Sequence, residues 1–145
     1  MFFGSKERRP LSKLKVSTPL VILSALMALL VCACESVPKN IPEDLKPIEY
    51  FQLAQTEAGK QYYNSALVYY NTFIERFPDD VQRVAEAEFE IAFLYYKKND
   101  LQTAKTLFTE LLDKYEQPGG QLLPAWPRIL SEKLLITIED RSLRK

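Results

Sequence analysis

The chain has 145 residues, of which 47% are hydrophobic, 12% aromatic and 26% charged. Its 19 basic and 19 acidic residues cancel, which argues against a nucleic-acid-binding protein with a basic surface. The absence of histidine excludes Ser-His-Asp and Cys-His nucleophilic sites and histidine-ligated zinc. Composition therefore favours an interaction protein over an enzyme, and the length is that of one domain.

The first 33 residues have the pattern of an export signal. Five basic residues and one acidic residue precede a 14-residue apolar run from Leu20 to Ala33. A basic segment followed by a short apolar run and small residues is typical of a secretory signal peptide. The run is shorter than the roughly 20 residues that span a bilayer. We therefore expect residues 1–33 to be a signal peptide, with an uncleaved membrane anchor as the alternative.

The end of this run, Val31-Cys32-Ala33-Cys34, resembles the lipobox of bacterial lipoproteins. Cys34 fits the modified cysteine, whereas Cys32 fits it poorly because Val31 would occupy the small-residue position. The sequence departs from the commonest lipobox at Cys32, where a small residue is more usual. The resemblance implies that Cys34 carries acyl chains, palmitate among them, that attach the chain stably to a membrane. Cleavage as an ordinary signal peptide, without lipidation, is the other alternative.

A polar, proline-containing segment follows, and residues 34–46 are expected to form an extended tether beginning at lipidated Cys34. From about Ile48, apolar residues recur at spacings of three and four, which predicts helices and an all-α fold. The predicted helices cover residues 48–59, 62–77, 81–98, 101–116 and 125–141. Their breaks fall at Pro78, at Asn99-Asp100 and at Pro118-Gly119-Gly120.

The helical region repeats itself when the chain is offset by 38 residues. The matched pairs are Phe51 and Phe89, Leu53 and Ile91, Ala54 and Ala92, Ala66 and Ala104, Tyr70 and Phe108, and Phe73 and Leu111. A fixed period of this size indicates one helix–turn–helix unit used twice.

This unit resembles the tetratricopeptide repeat (TPR), with small residues where its two helices approach closely and aromatic residues beside them. The first repeat supplies Tyr50, Leu53, Ala54, Tyr63, Ala66, Tyr70, Phe73 and Pro78, and the second Ile91, Ala92, Tyr95, Leu101, Ala104, Phe108 and Leu111. The resemblance covers about residues 47–118. It implies a short α-solenoid of two TPR-like helix–turn–helix repeats.

Three glutamates depart from the TPR pattern: Glu57 and Glu88 replace usual aromatic residues, and Glu116 replaces the closing proline. Large Phe73 and Leu111 stand where the family usually has alanine. The stretch from Tyr70 to Pro78 is similar to repeats of bacterial lipoproteins of the outer-membrane assembly (BamD) type, and to TPR proteins associated with Tol–Pal.

In TPR families the first helix of each repeat lines a concave face that binds peptides or helices. Carried onto this chain, the resemblance implies a partner-binding groove of Ile48, Phe51 and Gln55 in repeat one and Glu86, Phe89, Phe93, Tyr96 and Lys97 in repeat two. Core packing is the alternative for the aromatic members. Phe93 and Tyr96 are the pair that we expect to be exposed.

Residues 119–145 are expected to contribute a loop and a C-terminal capping helix, because two repeats leave an apolar end uncovered. Its predicted apolar stripe consists of Trp126, Ile129, Leu130, Leu134 and Ile138, widened by Leu135 and Ile136. The alternative is that this stripe docks into a partner.

No residue pattern indicates a catalytic site, a metal site, a cofactor or a phosphate-binding loop. The acidic groups Asp79-Asp80 and Glu86-Glu88-Glu90 are interpreted as solvated helix ends and faces. The predicted function is that of a non-catalytic adaptor. It would be held by Cys34 in the bacterial envelope, at the periplasmic side of the outer membrane, with outer-membrane protein assembly as a candidate process. The alternative is an accessory lipoprotein of a transport system that binds a hydrophobic small ligand or docks a substrate-binding protein.

Overall fold

The computed structural model describes residues 37–144, and within this range the fold is all-α, with five α-helices, one 3₁₀ turn and no β-strand. The helices are α1 (Pro47–Gly59), α2 (Tyr63–Arg76), α3 (Val81–Lys97), α4 (Leu101–Tyr115) and α5 (Ala125–Leu143), and the 3₁₀ turn is Gly120–Leu122. All five predicted helices are confirmed, each end within two residues. The predicted signal segment 1–33 and Cys34 lie outside the described residues.

Local sequence signals explain where the helices begin. Pro47 is the first residue of α1, and the Lys46 N–H donates to Glu49 Oε2 at 2.6 Å. The Asp80 and Asp100 carboxylates accept from the backbone N–H three residues on, at 3.3 and 3.2 Å, at the starts of α3 and α4. Such caps satisfy backbone donors that have no partner inside the helix.

Helices α1 and α2 form a first hairpin and α3 and α4 a second, and the two turns share one backbone geometry. Gln61 and Asn99, which are 38 residues apart, adopt left-handed conformations with φ of 66° and 61°. The next N–H, of Tyr62 and of Asp100, donates to the carbonyl five residues back at 2.9 and 3.0 Å. Both first helices therefore end in the same Schellman-type cap, at matched positions.

The core consists of two clusters of buried side chains that meet at α3. The first cluster contains Tyr50, Phe51, Ala54, Ala66, Leu67, Tyr70, Phe73, Ala87, Ile91 and Leu94. The second contains Ala85, Phe89, Ala92, Ala104, Phe108, Leu111 and Ile138. Because α3 supplies residues to both, it joins the first hairpin to the second hairpin and to α5. The alanines matched by the 38-residue offset are fully buried in each hairpin.

The described part of the predicted tether is docked onto the first hairpin. Ile41 and Leu45 pack against the first cluster. Arg76, the last residue of α2, donates to the Pro42 carbonyl at 2.6 Å and to the Ile41 carbonyl at 3.1 Å. Residues 41–45 therefore belong to the folded domain and do not act as a free spacer.

A short loop leads from α4 into α5 and depends on two glycines. Gly119 has a φ of 97°, and a Cβ on Gly120 would stand 2.2 Å from the Tyr115 carbonyl oxygen. The Tyr115 hydroxyl donates to the Pro124 carbonyl at 2.7 Å. These contacts turn the chain so that α5 packs on α4 and also touches α3.

Burial along α5 differs from the predicted stripe. Pro127, Ser131 and Ile138 are buried, and Leu134 and Leu135 are half-buried. Trp126, Ile129, Leu130 and Ile136 are exposed. The helix thus covers the second cluster with one narrow face and leaves apolar side chains at the surface. Across residues 37–144, no helix has the length and apolar character needed to cross a membrane.

Candidate interaction groove

Two of the predicted groove residues are core residues. Phe51 packs edge-to-face on Tyr70 and Phe73, with ring centroids 5.3 and 5.1 Å apart. Phe89 is only 4% exposed and lies 5.7 Å from the ring of Phe108. Both side chains therefore contribute mainly to packing, which was the alternative interpretation of these aromatics.

Phe89 is also the inner end of a row of stacked rings on α3. The centroids of Phe89 and Phe93 are 6.0 Å apart with an interplanar angle of 16°, and those of Phe93 and Tyr96 are 6.0 Å apart at 11°. The spacing of four and then three residues sets the three side chains on one helix face. Phe93 and Tyr96 are half-buried, so the row runs from the core to the surface.

Charged side chains flank this row. Lys97 Nζ lies 5.2 Å from the centre of the Phe93 ring, and the Arg141 guanidinium lies 4.9 Å from the centre of the Tyr96 ring. Both distances are those of cation–π contacts. At the other end, Trp126 Nε1 donates to Glu86 Oε1 at 3.2 Å. One end of the row is therefore basic and the other acidic.

The opposite wall comes from α5. Phe89, Glu90 and Phe93 face Trp126, Leu130, Lys133, Leu134 and Thr137 across a pocket of about 390 Å³. The rings of Phe89 and Trp126 meet edge-to-face at 5.0 Å. Trp126 and Leu130 are 38% and 39% exposed, so this wall remains open to solvent. We call this feature the α3–α5 groove.

Glu90 is an acid at the edge of an apolar surface. Burial raises the pKa of its carboxyl group, neighbouring Lys97 lowers that pKa, and Glu86 raises it. Burial dominates because a charged carboxylate loses hydration among apolar side chains. Glu90 therefore holds its proton to a higher pH than an ordinary glutamate.

The structure brings together some of the predicted groove residues and separates others. Glu86, Phe89, Phe93, Tyr96 and Lys97 lie together on α3. Phe51 belongs to the first cluster, and Gln55 is an exposed residue of α1. The described contacts thus form a groove between α3 and α5 and not one lane across both hairpins.

The sequence favoured a capping role for α5, with docking of its stripe into a partner as the alternative, and it did not indicate that Trp126, Leu130 and Leu134 line a pocket with α3. Trp126, Leu130 and Leu134 follow each other at spacings of four, a signal that one helix face carries all three. Nothing in the sequence indicated which helix that face would contact. Within residues 37–144, no cluster of three or more acidic or cysteine side chains could hold a metal ion.

Part of the chain is similar to a known protein. An uncharacterized protein of Treponema pallidum (strain Nichols) is 34% identical over 94 residues, which cover 63% of this chain. The match spans only 38% of the length of that protein. No protein-family model matches the chain, and no solved structure matches it.

Proposed function

We propose that the chain is a lipid-anchored adaptor of a bacterial envelope complex, with a TPR-type helical domain that binds a protein partner without catalysing a reaction. Acyl chains on Cys34 would hold it at the membrane, and outer-membrane protein assembly is the candidate process. The observation that carries the proposal is the open α3–α5 groove, in which stacked aromatic rings face the exposed Trp126 and Leu130.

The geometry of the hairpins supports a TPR-type assignment. The 38-residue offset relates left-handed Gln61 to Asn99 and fully buried Ala66 to Ala104. Small buried residues let paired helices approach closely, which is how stacked helical repeats bury a continuous core.

The groove supports protein binding because its exposed members are large, rigid aromatic and aliphatic side chains. Such residues anchor protein interfaces when a partner excludes water from them. The basic end at Lys97 and Arg141 and the acidic end at Glu86 would orient a partner segment along the row, because charged rims set register.

A small hydrophobic ligand is the second candidate, favoured by the pocket volume alone. About 390 Å³ lies in the lower part of the roughly 300–1,000 Å³ range of small-molecule sites. Such sites enclose most of the ligand surface, whereas Trp126 and Leu130 leave this wall open. The adaptor function therefore fits the geometry better.

The test of partner binding is capture of the crosslinked partner from native envelopes, followed by mass spectrometry. Phe93→Ala truncates a large side chain in the α3 wall of the groove, and Leu130→Ala truncates one in the α5 wall. We expect both to reduce recovery of the same protein. Ile136→Ala is the matched control, because Ile136 is exposed on α5 and does not line the groove. Equal recovery with all three variants would contradict the groove as the binding site.

The anchor is tested separately by metabolic labelling with a fatty acid. Cys34→Ala should abolish acyl labelling and membrane partitioning, whereas Cys32→Ala should leave both intact. Undiminished labelling of the Cys34→Ala protein would contradict the lipidation proposal without affecting the groove.

A further inference from the structure

The two hairpins place different chemistry at one pair of matched positions. In the first hairpin, Tyr50 is fully buried and its hydroxyl accepts a hydrogen bond from Arg76. In the second hairpin, the same positions hold Glu88 and Lys114, which form an ion pair. The pairing of the two positions is thus retained, while its components change from phenol and guanidinium to carboxylate and ammonium.

The first hairpin uses this pair to hold an extended segment of chain. Beyond its bond to Tyr50, Arg76 donates to the carbonyl oxygens of Ile41 and Pro42. Ile41 and Leu45 of the same segment insert apolar side chains against the core. The pair therefore captures backbone carbonyls while neighbouring apolar residues take up aliphatic side chains.

In the second hairpin the matching segment is not held by the pair, because the first helix starts one turn earlier. Helix α3 begins at Val81, whereas α1 begins at Pro47, which matches position 85. Of the residues that match 41–45, Asp79 and Asp80 precede α3, and residues 81–83 are wound into its first turn. The Asp80 carbonyl accepts from the Val84 N–H at 2.8 Å, and within residues 37–144 Lys114 donates to no backbone carbonyl.

The pair in the second hairpin has unused hydrogen-bonding capacity. Among residues 37–144, Lys114 Nζ bonds only to Glu88 Oε1, although an ammonium group has three donors. Glu88 Oε2 is buried and has no hydrogen-bond partner in the described structure. A buried carboxylate oxygen without a partner is costly, so an incoming N–H at this point would be stabilising.

An apolar pocket of about 390 Å³ opens beside this pair. The first turns of α3 and the loop before α5 form its walls, with Val81, Val84, Leu122 and Leu123 among the lining residues. Val81 and Leu122 are 48% and 62% exposed. Gln82 Nε2 donates to the Leu122 carbonyl at 3.2 Å and ties the two walls together.

We propose that this Glu88–Lys114 pocket binds an extended peptide segment of a partner protein, in the manner in which the first hairpin holds residues 41–45. A backbone carbonyl of the segment accepts from Lys114, the Glu88 side chain turns so that Oε2 accepts from a backbone N–H, and an aliphatic side chain enters the pocket. The site lies on a different surface from the α3–α5 groove and does not depend on it.

The test uses the full chain in detergent micelles and a capped synthetic peptide with the sequence of residues 37–46 as the probe. Methyl NMR should show saturable shifts at Val81, Val84 and Leu122 and none at Ile136. Lys114→Met should weaken binding about tenfold, since it removes the charged donor. The Lys105→Met variant changes a half-buried lysine of the same helix that does not line the pocket, and it should bind the peptide as the unmodified chain does.

Two further measurements distinguish the proposed peptide from other possible occupants of the pocket. A peptide with serine in place of Ile41 and Leu45 should bind far more weakly; equal binding would overturn the proposal. It would also be overturned by a lack of saturable shifts, or by unchanged affinity in a folded Lys114→Met variant. A dimer seen by sedimentation and lost in Leu122→Ser would assign the pocket to a second copy of the chain and overturn the proposal as well.

Discussion

The two hairpins have the same turn geometry and the same buried alanines, yet their first helices expose different residues. On α1, the matched positions of Phe93 and Tyr96 are Gln55 and Ala58. The first hairpin is also covered by the chain that precedes it, through Ile41 and Leu45. The second hairpin is covered by α5, which leaves a groove.

This difference teaches that the buried positions set the architecture and the exposed matched positions set what each hairpin can bind. Ala66 and Ala104 are fully buried at matched positions of the two hairpins. Gln55 and Phe93 are not equivalent, because a solvated amide offers little apolar surface, whereas a half-buried ring offers a ready anchor.

The largest expected effect comes from truncating the matched core residues Phe73 and Leu111. Phe73→Ala should cost about 3–5 kcal/mol and Leu111→Ala about 2–5 kcal/mol of unfolding free energy. Because α3 contributes residues to both clusters, we expect the whole domain to unfold in one transition. Both changes should lower the midpoint of that transition. Denaturation followed by circular dichroism and by fluorescence of Trp126, the one tryptophan, checks this. Separate transitions from the two probes would show that the hairpins unfold independently.

Enlarging the matched alanines should have the next largest effect. Ala66→Leu and Ala104→Leu each insert a side chain at a fully buried helix contact, at a cost of about 1–3 kcal/mol. Ala125→Leu is the control, since Ala125 is exposed at the start of α5. Thermal unfolding measures all three, and unchanged midpoints for both buried variants would contradict the matched packing.

The two turns should respond unequally to glycine. A left-handed conformation costs a residue with a Cβ on the order of 1 kcal/mol, and asparagine tolerates it better than glutamine. Gln61→Gly should therefore stabilise the chain more than Asn99→Gly. Urea unfolding of both variants measures the change in unfolding free energy, and a larger gain at Asn99 would contradict the greater strain that we expect at Gln61.

The smallest effect concerns Glu90, whose matched residue in the first hairpin is exposed Gln52. Its folded-state pKa is raised by burial, so ionisation opposes folding at neutral pH. This cost declines as the pH falls below that pKa and is gone below the unfolded-state pKa. Glu90→Gln should raise the thermal midpoint at neutral pH and change it less in acid. Gln52→Glu should show no such pH dependence; equal behaviour of the two variants would contradict a buried acid at Glu90.

Much of this architecture could be predicted because its signals are local. Apolar spacing gave the five helices, and the 38-residue period gave the matched buried positions Ala54, Ala66, Ala92 and Ala104. Proline, asparagine and glycine marked the breaks. These features depend on backbone conformation and on residues close in sequence.

The rest could not be predicted because it depends on which surfaces meet. Nothing in the polar segment before α1 indicated that Arg76, 34 residues on, would bond the Pro42 carbonyl. In α5, apolar residues surround most of the helix, so periodicity could not select the face of Ser131 and Ile138 over that of Ile129 and Leu130. The α3–α5 groove follows from that choice of face.

Site-specific photo-crosslinking in native envelopes tests the central claim most directly, with the crosslinker placed at Phe93 in one protein and at matched Gln55 in another. If partner binding belongs to the α3–α5 groove, position 93 should crosslink to one discrete protein and position 55 should give none. A discrete product from position 55 with none from position 93 would contradict the account, because it would assign partner binding to the first hairpin.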